Sequence, residues 1–350
     1  EIHCGLVGSE MCIRDSLRVE PAMPMAICLQ GYLLKLGAHP KLKKTLTDFV
    51  QRANALSELN AQESLHVRAL TAWADNRDAD ATALLEEILQ QYPDDICALR
   101  VAHYLHFYTG IAQNMVDSTQ RVHTTFDETD PNYGFYLGMH AFGLEESGHL
   151  NEALDFGRRA AAINPADLWA VHAVDHALYT QNEHAQGISW LREHELHWQG
   201  TNNFRYHLYW HIALHHLQLG EYQEALNIYD LELEKSLADD FYLDVCNNAS
   251  LLWRLEHRGV DVGNRWDEIT EIAQSHTDDQ ELVFASLHYL LTLSRTQSTK
   301  LSVIQSTLAD WAATDDDQGH VAQAVAVPLS KVLNCLLYTS DAADEVSCVD

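Results

Sequence analysis

Apolar residues recur three and four apart through residues 62–95, QESLHVRALTAWADNRDADATALLEEILQQYPDD, on both sides of a polar break at 75–79. That spacing puts them on one face of a helix. The segment therefore predicts two amphipathic helices joined by a short turn. Pro93 marks the stop, because proline cannot continue a helix. The plan repeats from residue 134: GFYLGMHAFGLEES as first helix, Gly148 in the turn, NEALDFGRRAAAI as second helix, then Pro165. Residues 206–235 follow it again, with YHLYWHIALHHLQL, Gly220 and YQEALNIYDLELEK. Residues 22–56, 94–127 and 240–294 also read as helical pairs, and no alternating strand pattern with hairpin turns competes.

The spacing within the pairs is specific. A small residue lies twelve positions before the proline in two of them, Ala81 before Pro93 and Ala153 before Pro165, and Ala225 takes the same place after Gly220. Leu85 and Tyr229 fill a large position four residues later. The arrangement resembles the 34-residue tetratricopeptide pattern. It departs from that pattern at Gly157, where a large residue is expected, and across 168–201, which lack the small residue and the proline. A lone helical hairpin cannot bury its apolar face, so neighbours must stack. The expected fold is all-α, a tetratricopeptide-like α–α superhelix built as a solenoid of helical hairpins.

Beyond the generic repeat, INPADLWAVHAVDHALYTQNEHAQGISWL, YHLYWHIALHHLQLGEYQEALNIYD, LDVCNNASLLWRLEHRGVDVGNRW and FASLHYLL follow one another in order. This run resembles the tetratricopeptide repeat protein 38 family. Residues 254–266, RLEHRGVDVGNRW, are its most specific part, because no repeat rule demands them. The resemblance implies an all-helical repeat fold and no established biochemical activity. Its members usually carry HxxxHxxE, which would put a carboxylate at position 179, where this chain has Tyr179. They also tend to place Asp at the positions of Asn247 and Ser286, the latter just before His288.

The two ends have a different character. MCIRD, residues 11–15, can be encoded by a DNA string whose reverse complement lies inside a coding string for CLLYTSDAADE, residues 335–345. Unrelated protein ends have no reason to be complementary, and both resemble translated sequencing-adapter read-through. Residues 1–16 and 335–350 are accordingly expected to be artefact, and 17–334 a single helical-repeat domain truncated at both ends.

The chain has 350 residues and a formal net charge of −29, which argues against nucleic acid or an anionic membrane as partner, since phosphates would be repelled. No apolar run approaches the ~18 residues needed to span a bilayer. Away from the ends, Cys28, Cys97 and Cys246 are widely spaced and form no CxxC pair, which fits a reducing, cytoplasmic setting rather than a disulfide framework.

Candidate chemistry rests on histidine. His172 and His176, and His207 and His211, are spaced four apart, so each pair presents two imidazoles on one helix face. Both pairs sit on first helices, which neighbour one another along the inner surface of such a stack. Four imidazoles then converge, a donor set suited to Zn²⁺ or a similar divalent metal, with Asp175 as auxiliary carboxylate. His66 and His103 are placed to extend the stripe. Yet 21 histidines in one chain produce such coincidences freely, and a His between Trp and Tyr is commonly a packed residue. The leading expectation is therefore a scaffold that binds a protein or peptide in a groove lined by His172, His176, His207, Tyr209, Trp210 and His211. The runner-up is a metal-binding, hydrolytic site on the paired HxxxH motifs. A third is pH sensing by a histidine-dense groove. No catalytic residue is assigned, and no GxxxxGK[ST], GxSxG or HExxH is present.

Overall fold

The computed structural model describes residues 7–198 and 200–333. The expected read-through at 335–350 and at residues 1–6 lies outside that range, while Val7–Val19 forms helix α1. Every described element is helical, and no strand occurs among the described residues. No helix there is long and apolar enough to cross a membrane. The chain divides into two compact units, one formed by residues 7–37 and 42–228, the other by residues 38–41 and 229–333.

In the first unit, α2 (Pro24–Leu36) and α3 (Pro40–Asn54) precede a run of hairpins: α4 (Ala61–Ala74) with α5 (Asp78–Gln91), α6 (Ile96–Thr109) with α7 (Ala112–Arg121), α8 (Tyr133–Glu146) with α9 (Leu150–Ile163), α10 (Leu168–Thr180) with α11 (His184–His194), and α12 (Phe204–Gln218) with α13 (Tyr222–Ile228). The junctions explain the sequence. After Pro93 and Pro165 end the second helices, an aspartate two residues on caps the next first helix: Asp95 accepts from the Ala98 N–H and Asp167 from the Trp169 N–H. Such caps satisfy amides that a helix start leaves orphaned. Within all five hairpins the turn carries one residue in the left-handed region: Asn76, Gly110, Gly148, Asn182 and Gly220, with φ of 57°, 71°, 83°, 61° and 76°. Asn and Gly are the residues that adopt this conformation at least cost.

Counting from those turns corrects one reading of the sequence. In four of the hairpins a small residue falls five positions after the turn, at Ala81, Ala153, Ala225 and, between α10 and α11, Gly187; in α6–α7 that position is Met115. The small residue is present in the α10–α11 hairpin, and only the proline is missing. Gly157 also has a physical reason. A Cβ there would lie 2.5 Å from Val174 Cγ2 on α10, so the large residue of the repeat pattern is replaced where α10 presses onto α9. The core running through this stack includes Trp73, Leu85, Leu99, Phe142 and Ala170, all buried.

In the second unit, α14 (Tyr242–His257) pairs with α15 (Trp266–Ser275), and α16 (Val283–Arg295) with α17 (Leu301–Trp311), followed by the short α18 (Asp317–Val321). The RLEHRGVDVGNRW segment is the α14–α15 turn and its fastenings. Gly259 and Gly263 take positive φ, and Val262 and Trp266 are buried. Arg265 donates two 2.7 Å bonds to Asp230, and Glu256 accepts two 2.7 Å bonds from Arg295.

Candidate functional site

Helices α10 and α12 are neighbouring first helices, and their contact brings the predicted histidines together. His172 Nε2 lies 3.0 Å from His207 Nε2 and 3.0 Å from His211 Nε2, and the last two are 3.1 Å apart. Three ring nitrogens thus form a near-equilateral triangle. A ring nitrogen of His176 lies within 4.8 Å of the ligand atoms of the other three, but makes no hydrogen bond to them in the geometry that links the triangle. His172 and His211 are buried, and His207 and His176 half-buried.

Hydrogen bonding alone cannot satisfy this triangle. An imidazole nitrogen either carries a proton and donates, or keeps its lone pair and accepts. Two roles distributed over three mutually contacting atoms always leave at least one pair alike, lone pair against lone pair or N–H against N–H. A cation at the centre removes the conflict, because all three nitrogens then present lone pairs to it. The dimensions suit one: ligands about 2.1 Å from a common ion sit roughly 3.0 Å apart when held at right angles and roughly 3.4 Å apart in a tetrahedron.

The surroundings set the ring orientations. Asp175 is fully buried and lies behind the triangle, its Oδ2 3.0 Å from His211 Nδ1 and its Oδ1 2.9 Å from His215 Nε2. Burial alone would raise Asp175, yet its bonds to His211 and His215 outweigh that and bring it down to about 2. An ionised carboxylate only accepts, so His211 must carry its proton on Nδ1 and aim the Nε2 lone pair into the triangle. This carboxylate–imidazole arrangement is the usual outer support of a metal-bound histidine. Burial pushes His211 down to about 4, against the pull of Asp175, and burial with the neighbouring imidazoles holds His172 well below the ordinary histidine value. Both rings are neutral at physiological pH. His176 goes the other way. Burial opposes its charge, but Glu145 at 3.2 Å and Glu146 at 3.6 Å from its Nδ1 outweigh this and raise it to about 9.

Aromatic rings enclose the set. Phe142 stacks on His172 with centroids 5.6 Å apart, Phe204 meets both His172 and His207 at 5.1 Å, and Trp210 stacks on His207 at 5.1 Å. Tyr209, assigned to the same groove by sequence, turns elsewhere: its hydroxyl donates to Glu195 at 2.8 Å and its ring meets the edge of Trp198. His66 and His103 belong to separate buried bonds. His66 sits between the Tyr32 hydroxyl at 3.1 Å and Asp95 at 2.9 Å, and His103 accepts from Trp169 Nε1 at 3.3 Å. Tyr179 accepts from Gln218. The carboxylates absent from that position come instead from the end of α8, as Glu145 and Glu146, which sequence reasoning did not single out. His194 is buried, with its Nδ1 2.9 Å from the Trp190 carbonyl.

A second histidine cluster lies in the other unit. The Lys41 N–H donates to His39 Nδ1 at 3.1 Å, so His39 Nε2 carries the proton and donates to Asp240 Oδ2 at 3.1 Å. Lys41 Nζ reaches the same oxygen at 3.2 Å. His276 Nε2 lies 2.7 Å from Asp240 Oδ1, and its Nδ1 bonds the Asp279 carboxylate. Burial pushes His276 down, but these two carboxylates lift it to about 9. Asp240 is held far below the carboxylate range by the same partners.

No family model matches the chain. Among solved structures, it is similar to the C-terminal part of a TPR repeat-containing protein from Cytophaga hutchinsonii, at 12% identity over 71% of this chain and 94% of that one, with a TM-score of 0.39. It is similar to yeast Tom70 at 10% identity, over 95% and 88% of the two chains, TM-score 0.42. It is also similar to a Rap protein complexed with competence and sporulation factor, at 12% identity over 92% and 99%, TM-score 0.46. At this distance nothing about site or activity passes from them to this chain. By its own hairpins, turns and junctions the chain is a tetratricopeptide-like helical repeat protein.

Proposed function

We propose that the first unit is a helical-repeat scaffold holding one divalent metal ion of the zinc class on His172, His207 and His211, with His176 beside them as a fourth imidazole that must release a proton before it can bind. The observation that carries this reading is the triangle of Nε2 atoms at 3.0, 3.0 and 3.1 Å, whose contacts protons alone leave in conflict. Asp175 supports it: its Oδ2 lies 3.0 Å from His211 Nδ1, which places the proton there and turns the Nε2 lone pair inward. Three imidazoles form a donor set of the kind that, in zinc enzymes, leaves a fourth position for water. Hydrolytic use of the ion would require that His176 leave that position open.

A groove for a protein or peptide is the second reading, favoured by the half-exposed rings of Phe204 and Trp210 beside the histidines. It ranks second because His172 and His211 are buried and offer a peptide little surface. The strongly acidic chain would favour a basic segment.

The test is the metal content of protein purified without a histidine tag. Near-stoichiometric zinc, lost in His207→Ala and kept in His194→Ala, is the expected result. Wild-type protein that neither retains zinc nor changes stability with chelator or added zinc would overturn the metal reading and leave the groove.

A further inference from the structure

We infer that His215, a residue outside the triangle, positions the metal centre through Asp175, and that Gly187 exists to admit its ring. The inference rests on the metal reading above and extends it to residues that touch neither the ion nor its ligands directly.

His215 and Asp175 are both fully buried. The carboxylate has two oxygens and two imidazole partners on opposite sides: His211 Nδ1 at 3.0 Å on Oδ2, and His215 Nε2 at 2.9 Å on Oδ1. Because a carboxylate only accepts, His215 must donate from Nε2, and in the neutral ring Nδ1 is then an acceptor. Its partner there is His184 Nδ1 at 3.1 Å, which therefore carries the proton. One acceptor-only group fixes the tautomer of three histidines in a row, from half-exposed His184 to His211 in the triangle. Remove the donor at His215, and Asp175 loses the 2.9 Å hydrogen bond it accepts on Oδ1. The carboxylate would then turn toward whatever donor remains, and the 3.0 Å contact through which it holds the His211 ring would shift.

The chain makes room for this arm at a defined place. Five residues after the turn, three other hairpins carry alanine, at positions 81, 153 and 225, and this one carries Gly187. A Cβ on Gly187 would lie 2.3 Å from both Cε1 and Nε2 of His215. A single methyl group would displace the nitrogen that holds Asp175. A histidine placed for packing alone needs no such aligned donor, and a smaller or apolar side chain would fit against alanine.

Zinc affinity of the full chain, measured by competition with a chromophoric chelator, tests the arm. His215→Leu, which fills the volume without a donor, is expected to bind zinc roughly 10–100-fold more weakly. His215→Gln, which restores an N–H, recovers most of that loss. Cobalt-substituted protein should show a shifted d–d absorption band in His215→Leu and a near-native one in His215→Gln. Should His215→Leu fail to fold, Gly187→Ala decides, since it keeps every polar group and moves only the ring; weaker binding with helix content intact is expected. A packing role alone would let Leu match wild type and leave Gln no better. If His207→Ala abolishes zinc binding while His215→Leu and Gly187→Ala bind as wild type does, the arm is refuted and the centre stands. If His207→Ala leaves zinc in place, the centre itself is wrong and the arm falls with it.

Discussion

The two histidine clusters use the same side chain to opposite ends. In the first unit, ring nitrogens face ring nitrogens, and no assignment of protons satisfies every contact among His172, His207 and His211. In the second, ring nitrogens face carboxylates: His39 and His276 both point at Asp240, with Lys41 and Asp279 completing the charge pattern. Every contact there already pairs a donor with an acceptor. The second cluster is a finished ion-pair network that holds residues 38–41 to the helices of its own unit. The first is finished only by a cation. What separates a metal site from a structural clasp is therefore the partner each nitrogen faces, more than the number of histidines gathered.

Four experiments would break or sharpen this contrast. The largest effect should come from zinc itself. At a concentration 100 to 1,000 times the dissociation constant, it should stabilise the wild-type protein by about 3–4 kcal/mol. That gain should vanish in His211→Ala and persist in His276→Ala, as read from thermal midpoints with and without metal. A gain that persists in His211→Ala would erase the distinction.

Next comes the clasp. His276→Ala removes donors to two carboxylates and should cost about 2 kcal/mol, with a characteristic pH dependence. His276 is raised in the fold from 6.5 to about 9. Its contribution is therefore complete below pH 6.5 and disappears as the pH rises through about 9. Asp240 is lowered from 3.8, so its share is present above that value and lost as the pH falls below it. The gap between wild type and His276→Ala should be widest between pH 3.8 and 6.5 and close toward pH 9 in denaturant titrations. A gap that grows above pH 7 would contradict the assignment.

Gly157→Ala should cost about 1–2 kcal/mol by overpacking, since its Cβ would meet Val174 at 2.5 Å. Because Val174 shares α10 with His172, zinc affinity should fall as well, while the pH profile set by His276 stays unchanged. Parallel zinc and pH titrations of this variant separate the two units. The smallest effect belongs to Tyr209→Phe. It removes the hydroxyl bond to Glu195 at a cost of about 1 kcal/mol or less, with zinc content unaltered. Loss of zinc in that variant would return Tyr209 to the site.

The sequence carried much of this in its periodicity. Four-residue spacing put His207 beside His211 on one face, and the order of the hairpins made α10 and α12 neighbours, which together predicted the meeting of His172 with the other pair. Other parts had no local signal. The carboxylates facing His176 come from α8, one hairpin earlier, whereas the family pattern directed attention to position 179 on the same helix. His39 and Asp240 are 201 residues apart, and neither lies in a motif. Gly187 has no signal counted back from a proline, because its hairpin lacks one and its turn uses Asn182 in place of glycine. Asp175 stands out in the sequence by its place between two histidines, but its contacts with His211 and His215 follow from the packing of α12 against α10.

Zinc K-edge X-ray absorption on protein loaded with one equivalent of the metal and then dialysed tests the central claim most directly. A first shell of nitrogen and oxygen about 2.0–2.1 Å from the ion, with outer-shell scattering from at least three imidazoles, is the predicted spectrum. A sulfur shell at about 2.3 Å, or a shell of oxygens with one imidazole or none, would place the ion elsewhere and contradict the account.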